Sequence, residues 1–202
     1  PFVCACGRCL VCESGNHQVC PHQWQPGFDG WGGFAEYVAL PAADVNLVKL
    51  PHDVSFDVAA ALGCRVATAY RAVATIGRVS AGEEVAVHGA GGVGLAALAI
   101  ARALGARVIV IDPSPAARET ALRLGAAEAL EPAPDLVEAI RDAASGGPHL
   151  SLDAVGEGVD VARIGERVWV YHAALQRPFG TAAQFTVVPS HQAVRIPDGV
   201  PG

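Results

Sequence analysis

The chain has 202 residues, of which 51% are hydrophobic and 17% charged, and its net charge is −6. This composition supports a sizeable packed core and argues against disorder. The acidic balance without any basic run argues against nucleic acid or an anionic membrane as a partner. Every apolar run is interrupted by Gly or Arg before it reaches the ~20 residues of a membrane span. No signal peptide is visible, and we expect a cytoplasmic protein.

Five of the six cysteines fall between Cys4 and Cys20. Four of them have the spacing C-x2-C-x2-C-x7-C, namely Cys6, Cys9, Cys12 and Cys20. Four closely spaced thiolates can hold one Zn²⁺ tetrahedrally and leave no open position, as in a structural site. Disulfides, free thiols and a nucleic-acid zinc module are the alternatives. Reduced cytosolic thiols and the lack of basic and aromatic neighbours favour structural zinc. Cys4 is outside this set, and we expect His17 and His22 to be surface residues.

The next two segments differ in their pattern. Residues 32–50 alternate apolar and polar residues with a break at Pro41, which predicts β structure at the edge of a first domain. Residues 53–74 predict a helix, with Ser55 or Asp53 as its N-cap. This helix contains Cys64, and on its own such a cysteine is most simply a small buried core residue.

Residues 84–112 predict a nucleotide-binding unit. A short strand at 85–87 precedes a glycine turn, a helix to about Leu104 and a second strand that ends on Asp112. The residues of the turn are the candidate cofactor-binding residues: Gly89, Gly91, Gly92, Val93 and Gly94. Gly89 permits the tight turn, Gly91 lets a pyrophosphate approach the backbone, and Gly94 lets the helix lie close to the strand. The helix N-terminus offers N–H groups and a partial positive charge to phosphates.

Asp112 sets the expected cofactor preference. Its carboxylate would accept hydrogen bonds from the ribose hydroxyls and repel a 2′-phosphate, which favours NAD over NADP. The alternative is a glycine-tolerant turn in another α/β protein, in which Asp112 only caps the next helix.

The alternation of strands and helices continues as far as residue 156. We predict helices at 114–124 and 135–144 and strands at 127–130 and 150–155. Arg118 in the first of these helices lies either near the adenosine ribose or on a solvated helix face. The pattern predicts a parallel α/β sheet with four strands, whereas a complete dinucleotide-binding fold has about six.

Taken together, the cysteine spacing, the segment GGFAEY at 32–37 and the GAGGVG turn resemble the medium-chain zinc-containing alcohol dehydrogenase family over residues 1–156. The resemblance implies an α/β chain with a partial GroES-like β domain and structural zinc lobe at 1–55 and a partial Rossmann NAD-binding domain at 56–157. It also implies an NAD-dependent oxidoreductase that interconverts alcohols with aldehydes or ketones, with Zn²⁺ and NAD as cofactors. The partner is then a small-molecule alcohol or carbonyl substrate, and a homo-oligomer is compatible with this assignment.

The resemblance also assigns candidate catalytic residues. Cys64 matches a ligand of the catalytic zinc, and Thr68 matches the threonine near the nicotinamide. A catalytic zinc needs three protein ligands and an open position, and the other ligands and the proton-relay hydroxyl of the family have no counterpart in this sequence. Because the chain also begins with Pro1 and contains no Met, we expect a truncated chain of low activity. A non-catalytic zinc- and nucleotide-binding fragment is the alternative.

Residues 158–202 predict a β-rich tail that repeats an earlier segment. AEYVALP at 35–41 corresponds to AQFTVVP at 183–189, and VKLP at 48–51 corresponds to VRIP at 194–197. Unless this similarity arose by chance, the tail resembles a second partial GroES-like segment from the zinc-free quinone-reductase branch of the same superfamily. That branch offers a further alternative, an NAD(P)H oxidoreductase without catalytic metal, although Asp112 argues against NADPH. We expect the tail strand at 166–171 to lie beside residues 34–50.

Overall fold

The computed structural model describes residues 3–155 and the backbone of a strand at Arg167–Val170. The chain divides into two compact units, of which the first ends at Cys64 and the second begins at Arg65. The three-part division expected from the sequence stays a prediction. No helix in the described part of the chain is long and apolar enough to cross a membrane.

The first unit is built on a cysteine-rich lobe with little regular structure. Helix α1 spans Leu10–Glu13, and a 3-10 turn follows at His17–Val19. Cys4 and Trp24 exchange two backbone hydrogen bonds, with N···O distances of 2.7 and 2.9 Å. Main-chain bonds and short turns, rather than long helices or strands, therefore give this lobe its shape.

Residues 32–50 contain no strand, so the prediction of β structure there is wrong. The segment consists of bends and unpaired residues around a short helix, α2 (Ala43–Asn46). Asn46 ties this helix to the lobe, because its side chain hydrogen-bonds both the N–H and the C=O of Ala5. Apolar alternation becomes a strand only where a neighbouring strand accepts its backbone hydrogen bonds, and in the described part of the chain no strand does so. Its large apolar side chains are accordingly exposed, among them Phe34, Tyr37 and Val48.

A helical stretch follows the predicted N-cap and confirms the helix expected at 53–74. It consists of α3 (Phe56–Ala61), a π-helical turn (Leu62–Val66), α4 (Ala67–Tyr70) and a second π-helical segment (Arg71–Ile76). The hydroxyl of Ser55 accepts a hydrogen bond of 3.3 Å from the N–H of Val58, as expected of a serine N-cap. The first π turn contains Cys64, so the chain passes from the first unit to the second within this stretch.

The second unit is a parallel sheet. Its strands are β1 (Glu84–His88), β2 (Arg107–Ile111), β3 (Glu128–Leu130), β4 (Leu150–Asp153) and β5 (Arg167–Val170). They lie in the order β3-β2-β1-β4-β5, and every neighbouring pair is parallel. Three helices connect the first four strands: α5 (Gly92–Ala103), α6 (Pro115–Arg123) and α7 (Leu136–Ala143). This topology confirms the Rossmann-like fold, and its switch point between β1 and β4 is where such sheets bind ligands.

Strands β1, β2 and β4 are buried on both faces, which explains why most of their residues are apolar. Val85 and Val87 of β1 pack in one cluster with α5, whereas Ala86 packs on the other face with Ile140 of α7. Burying one Val, Leu or Ile side chain stabilises a fold by about 1.5–3 kcal/mol. A slip of one residue would exchange the two faces, so this burial also fixes the register of the strands.

The strand β5 corrects two expectations about the tail. It pairs in parallel with β4, with Leu150 opposite Arg167 and Asp153 opposite Val170. The described sheet therefore has five strands rather than the predicted four. The tail strand was expected to lie beside residues 34–50, and this expectation is wrong because the strand pairs with β4. The physical reason is that β4 would otherwise be an open edge, which accepts any strand of suitable pattern. The remainder of the predicted tail, with its repeat and its resemblance to the zinc-free branch, lies outside the described residues.

Candidate functional site

Four cysteine sulfurs converge in the lobe of the first unit. The Sγ atoms of Cys6, Cys9, Cys12 and Cys20 all lie within 4.8 Å of one another. Three of the separations are 3.5 Å for Cys9–Cys12, 3.9 Å for Cys9–Cys20 and 4.0 Å for Cys6–Cys12. Four thiolates at about 2.3 Å from a tetrahedral Zn²⁺ would be roughly 3.8 Å apart. These separations fit a closed four-sulfur metal site, and all six cysteines are free of disulfides.

Local structure places these ligands. Cys9 is the N-cap of α1, and Cys12 is three residues further on the same side of that helix. The sulfur of Cys20 accepts hydrogen bonds of 3.4 Å from the backbone N–H groups of Cys6 and His22. Such outer contacts orient metal ligands and stabilise their charge. As expected, Cys4 stands outside the sulfur cluster, and so do the exposed side chains of His17 and His22.

The surroundings of the thiols shift their pKa values in opposite directions. A hydrogen bond from the backbone of Arg8 lowers the pKa of Cys6 to about 6, whereas burial raises the pKa of Cys12 to about 12. Without a metal, the thiol of Cys6 would therefore lose its proton more readily than the thiol of Cys12. Ligation requires the thiolate form, so metal binding at this cluster would release protons.

The glycine turn follows β1 at the switch point of the sheet. Gly89 has a φ of +96°, in the left-handed region that favours glycine. A Cβ on Gly94 would overlap the carbonyl oxygen of Gly89, so no side chain fits where α5 crosses β1. Gly91 differs, because a Cβ there would meet no atom within 4 Å. The backbone beside Gly91 is thus open, which the predicted approach of a pyrophosphate requires, and that approach stays a prediction.

Asp112 lies at the end of β2 and contacts the glycine turn directly. Its Oδ2 accepts a hydrogen bond of 2.7 Å from the N–H of Ala90, and its Oδ1 accepts one of 2.8 Å from the N–H of Ser114. Asp112 therefore stabilises the glycine turn through Ala90, and it also satisfies the N–H of Ser114 just before α6. Each carboxylate oxygen has further acceptor capacity, so the predicted role toward the ribose remains open to test.

Arg118 stabilises the backbone around Asp112. Its guanidinium donates to the carbonyl oxygens of Asp112 at 2.7 Å and Pro113 at 2.9 Å and pairs with Glu131 at 2.9 Å. Only 16% of its side chain is exposed, so it does not lie on a solvated helix face. Its predicted place near the adenosine ribose stays a prediction, and its observed contacts are with the backbone around Asp112.

The candidate catalytic residues lie in the helical stretch. Cys64 is exposed in the first π turn, and Thr68 is half-buried in α4. Among the described residues, the one group of three or more potential metal ligands is the four-cysteine cluster, so Cys64 has no companion ligands there. The assignments of Cys64 as a zinc ligand and of Thr68 to the nicotinamide site stay predictions.

Two further residues lie beside the glycine turn and were not predicted as site residues. His88 ends β1 with its side chain buried, and this burial lowers its pKa to about 4. The signal in the sequence is a polar residue that closes an apolar strand. Arg65 lies against Gly92 at the start of α5. The sequence signal for this contact is Gly92 itself, because the three-glycine motif does not require a glycine at that position.

Two family models match the chain. Residues 1–52 match the alcohol dehydrogenase GroES-like domain, and residues 92–168 match zinc-binding dehydrogenase. The first match agrees with the fold class predicted for the first unit, even though residues 32–50 form no strand.

Individual relatives agree with the family models. Geraniol dehydrogenase of Castellaniella defragrans is 35% identical in an alignment of 178 positions that covers 75% of this chain and 47% of the relative. An alcohol dehydrogenase of Geobacillus stearothermophilus is 39% identical over 131 residues, which are 65% of this chain and 38% of the relative. The chain therefore spans less than half the length of these curated relatives.

Solved structures give the same result. Alcohol dehydrogenase TADH from Thermus sp. ATN1 superposes with a TM-score of 0.76 at 34% identity, over 89% of this chain and 56% of that structure. A crystal structure of an NAD-dependent alcohol dehydrogenase gives a TM-score of 0.69 at 35% identity, over 77% of this chain and 46% of that structure.

Proposed function

Over residues 1–52 and 92–168 the chain belongs to the medium-chain zinc-containing alcohol dehydrogenase family, and from this premise we propose that it carries the structural zinc lobe and the NAD-binding sheet of an oxidoreductase. The proposed reaction interconverts a small alcohol and its aldehyde or ketone by hydride transfer. The observation that carries this proposal is the presence in one chain of a closed four-sulfur cluster and a glycine turn at the switch point of a parallel sheet.

The cysteine lobe is the proposed structural zinc site. Cys6, Cys9, Cys12 and Cys20 would hold the metal with sulfur alone, and such a closed set leaves no position for substrate. The metal would therefore organise the lobe rather than take part in the reaction.

The glycine turn is the proposed NAD site. The open backbone at Gly91 and the N–H groups at the start of α5 would bind the pyrophosphate. Asp112 would accept hydrogen bonds from the ribose of NAD and repel the 2′-phosphate of NADP. Arg118 would act on the ribose through Asp112, whose backbone carbonyl it holds.

The reaction itself would depend on Cys64 and Thr68. When bound at a catalytic site, zinc supplies Lewis-acid polarisation of the substrate oxygen, and NAD supplies the hydride acceptor. Cys64 would contribute one thiolate ligand, and Thr68 would orient the nicotinamide. Since the described residues offer Cys64 no companion ligands, we expect little turnover from this chain alone.

That same observation favours a second candidate, a zinc- and nucleotide-binding module without catalysis. The two candidates differ in the number of zinc ions. A catalytic site adds a second ion that depends on Cys64, whereas a module holds one ion that depends on the four-cysteine cluster.

Metal analysis with ligand binding tests both candidates. The purified chain is dialysed against zinc-free buffer, its metal content is measured, and its affinity for NAD⁺ and NADP⁺ is determined by calorimetry. We expect tightly bound zinc that is lost in Cys12→Ser, and tighter binding of NAD⁺ than of NADP⁺. A second zinc ion that is lost in Cys64→Ser, together with alcohol-dependent NADH formation, would establish the dehydrogenase over the module. A chain without zinc and without NAD⁺ affinity would contradict both.

A further inference from the structure

Gly92 is an additional glycine in the turn, and the motif does not require it. Gly89, Gly91 and Gly94 already account for the tight turn, the approach of the pyrophosphate and the packing of helix on strand. A Cβ built on Gly92 would lie 2.5 Å from Cδ of Arg65, 3.0 Å from its Nε and 3.4 Å from its Cζ. The side chain of Arg65 thus lies against the first residue of α5, in the space that a side chain at position 92 would occupy.

Another arginine of the second unit also lies against a glycine, and the comparison shows how Arg65 differs. The guanidinium of Arg102 lies where Gly125 lacks a Cβ, and it donates a hydrogen bond to the carbonyl oxygen of Leu124. That contact is structural, because it satisfies a carbonyl at the end of α6. The exposed Arg65 makes no hydrogen bond or ion pair with any residue that the structure describes. Its N–H groups are therefore available to an anion.

The charges around this position favour a phosphate ligand. The first turn of α5 contains no acidic residue, and a helix N-terminus carries roughly half a positive charge. Arg65 adds a full charge in a planar guanidinium, which can donate two parallel hydrogen bonds to a phosphate. Helix and arginine together could balance more of the charge of a diphosphate than the backbone alone.

We infer that Arg65 binds the pyrophosphate of the dinucleotide and makes the site select ligands with a diphosphate over uncharged nucleosides. This inference rests on the proposed function, because it assigns a further residue to the same nucleotide site. It also gives Gly92 a role, which is to leave room for the arginine side chain beside the helix.

The test compares ligands with and without phosphate on the zinc-loaded chain. Dissociation constants for ADP-ribose and adenosine are measured by calorimetry for the unaltered chain, Arg65→Gln, Arg65→Lys and the control Arg123→Gln. Arg123 is an exposed arginine on α6 that pairs with Glu119, away from the turn. We expect Arg65→Gln to weaken ADP-ribose binding by about tenfold to a hundredfold, the range for a lost hydrogen bond to a charged group. Adenosine binding should not change, Arg65→Lys should retain part of the affinity, and Arg123→Gln should match the unaltered chain.

The outcomes separate this inference from the proposed function. If the unaltered chain does not bind ADP-ribose, the proposed function and the inference fail together. If it binds ADP-ribose and Arg65→Gln binds it equally well, only the inference fails. An equal loss of adenosine and ADP-ribose affinity in Arg65→Gln would also overturn it, because the diphosphate would then not be the group recognised.

A double-mutant cycle tests the contact with Gly92. In Gly92→Ala the new methyl group must displace the side chain of Arg65, so we expect weaker ADP-ribose binding. The same substitution should have a smaller effect in the Arg65→Gln chain, where no arginine is displaced. Equal effects in the two chains would contradict the role assigned to Gly92.

Discussion

In the cysteine lobe the buried side chains are mainly cysteines, whereas in the parallel sheet they are valine, isoleucine and leucine. The buried apolar residues in the described part of the first unit are Cys4, Ala5, Cys12 and Cys20. In the second unit Leu98, Ile109, Leu150 and other large apolar side chains are fully buried. A segment with so little apolar burial needs another source of stability, and a bound metal is the usual one. The two units therefore should respond differently to the same perturbations.

Removal of zinc should have the largest effect, and it should be confined to the lobe. Structural zinc in small domains contributes about 10–16 kcal/mol of apparent binding free energy, most of which is folding free energy. We expect Cys12→Ser, or a chelator, to abolish the protection of backbone amides from hydrogen exchange in residues 3–30. Amides of β1 and β2 should stay protected, since their burial does not involve the metal.

Cys4→Ser is the matched control for the zinc experiment. Cys4 is buried in the same lobe but stands outside the sulfur cluster, so this variant should keep its zinc and its protected amides. Loss of protection in β1 after chelation would contradict the distinction between the two units.

Gly94→Ala should produce the largest effect on the sheet. The new Cβ would overlap the carbonyl oxygen of Gly89, so α5 must move away from β1. We expect a loss of about 3 kcal/mol in the free energy of unfolding by urea, in the upper range for overpacking. Gly91→Ala is the control for stability, because its Cβ would meet open space. It should keep the stability of the sheet and still weaken NAD⁺ binding.

Acid should destabilise the sheet through His88. Burial lowers the pKa of His88 to about 4 in the folded state, below the value near 6.5 of an unfolded histidine. The unfolded chain therefore binds the proton more readily, and stability falls as the pH drops below about 6.5. We expect His88 to account for a loss of about 2 kcal/mol between pH 7 and pH 5. Urea unfolding of His88→Gln at both pH values should show a smaller loss, and an unchanged loss would contradict this role.

The smallest effect should come from the ion pairs of Arg107. Its guanidinium contacts Glu84 at 2.9 Å and Glu128 at 2.7 Å and also the carbonyl oxygen of Ala143, but 40% of its side chain is exposed. Partly exposed ion pairs contribute up to about 1 kcal/mol. We expect Arg107→Met to lower the free energy of unfolding by that amount in dilute salt and by less in 1 M NaCl. Arg123→Met, which breaks one exposed pair with Glu119, should have almost no effect.

The parts of the fold that the sequence predicts correctly are those set by neighbouring residues. The strand before Gly89, the helix after it and the N-cap at Ser55 each follow from a local pattern, and the structure has all three. The four-cysteine cluster was also predictable, because the spacing of its ligands within a short segment keeps the sulfurs close together.

The wrong predictions concern strands and their partners. Residues 32–50 and the strand β5 both have a residue pattern that is compatible with a strand. A strand forms, however, only where a segment distant in sequence supplies its hydrogen-bond partners. The site shows the same limit. The ribose role of Asp112 stays a prediction, and the bond that Asp112 accepts from the N–H of Ala90 depends on how β2 packs beside the turn. The contact between Arg65 and Gly92 joins residues 27 apart in the sequence, so the additional glycine indicates free space in the turn but not the side chain that fills it.

The bonds of Asp112 bear on how the coenzyme preference of this chain could change. In the proposed site, an apolar residue at 112, as in Asp112→Ala, would remove the repulsion toward a 2′-phosphate, yet it would also leave the N–H groups of Ala90 and Ser114 without their acceptor. Loosening the turn in this way would weaken binding of either coenzyme. An engineered switch to NADP would thus need a residue at 112 that still accepts a hydrogen bond from the N–H of Ala90. Asp112→Asn and Asp112→Ser are such substitutions, and each would need a cationic side chain placed nearby. The same side chain at 112 would thus set both the coenzyme preference and the rigidity of the glycine turn. A single substitution there should therefore weaken the binding of NAD without strengthening the binding of NADP.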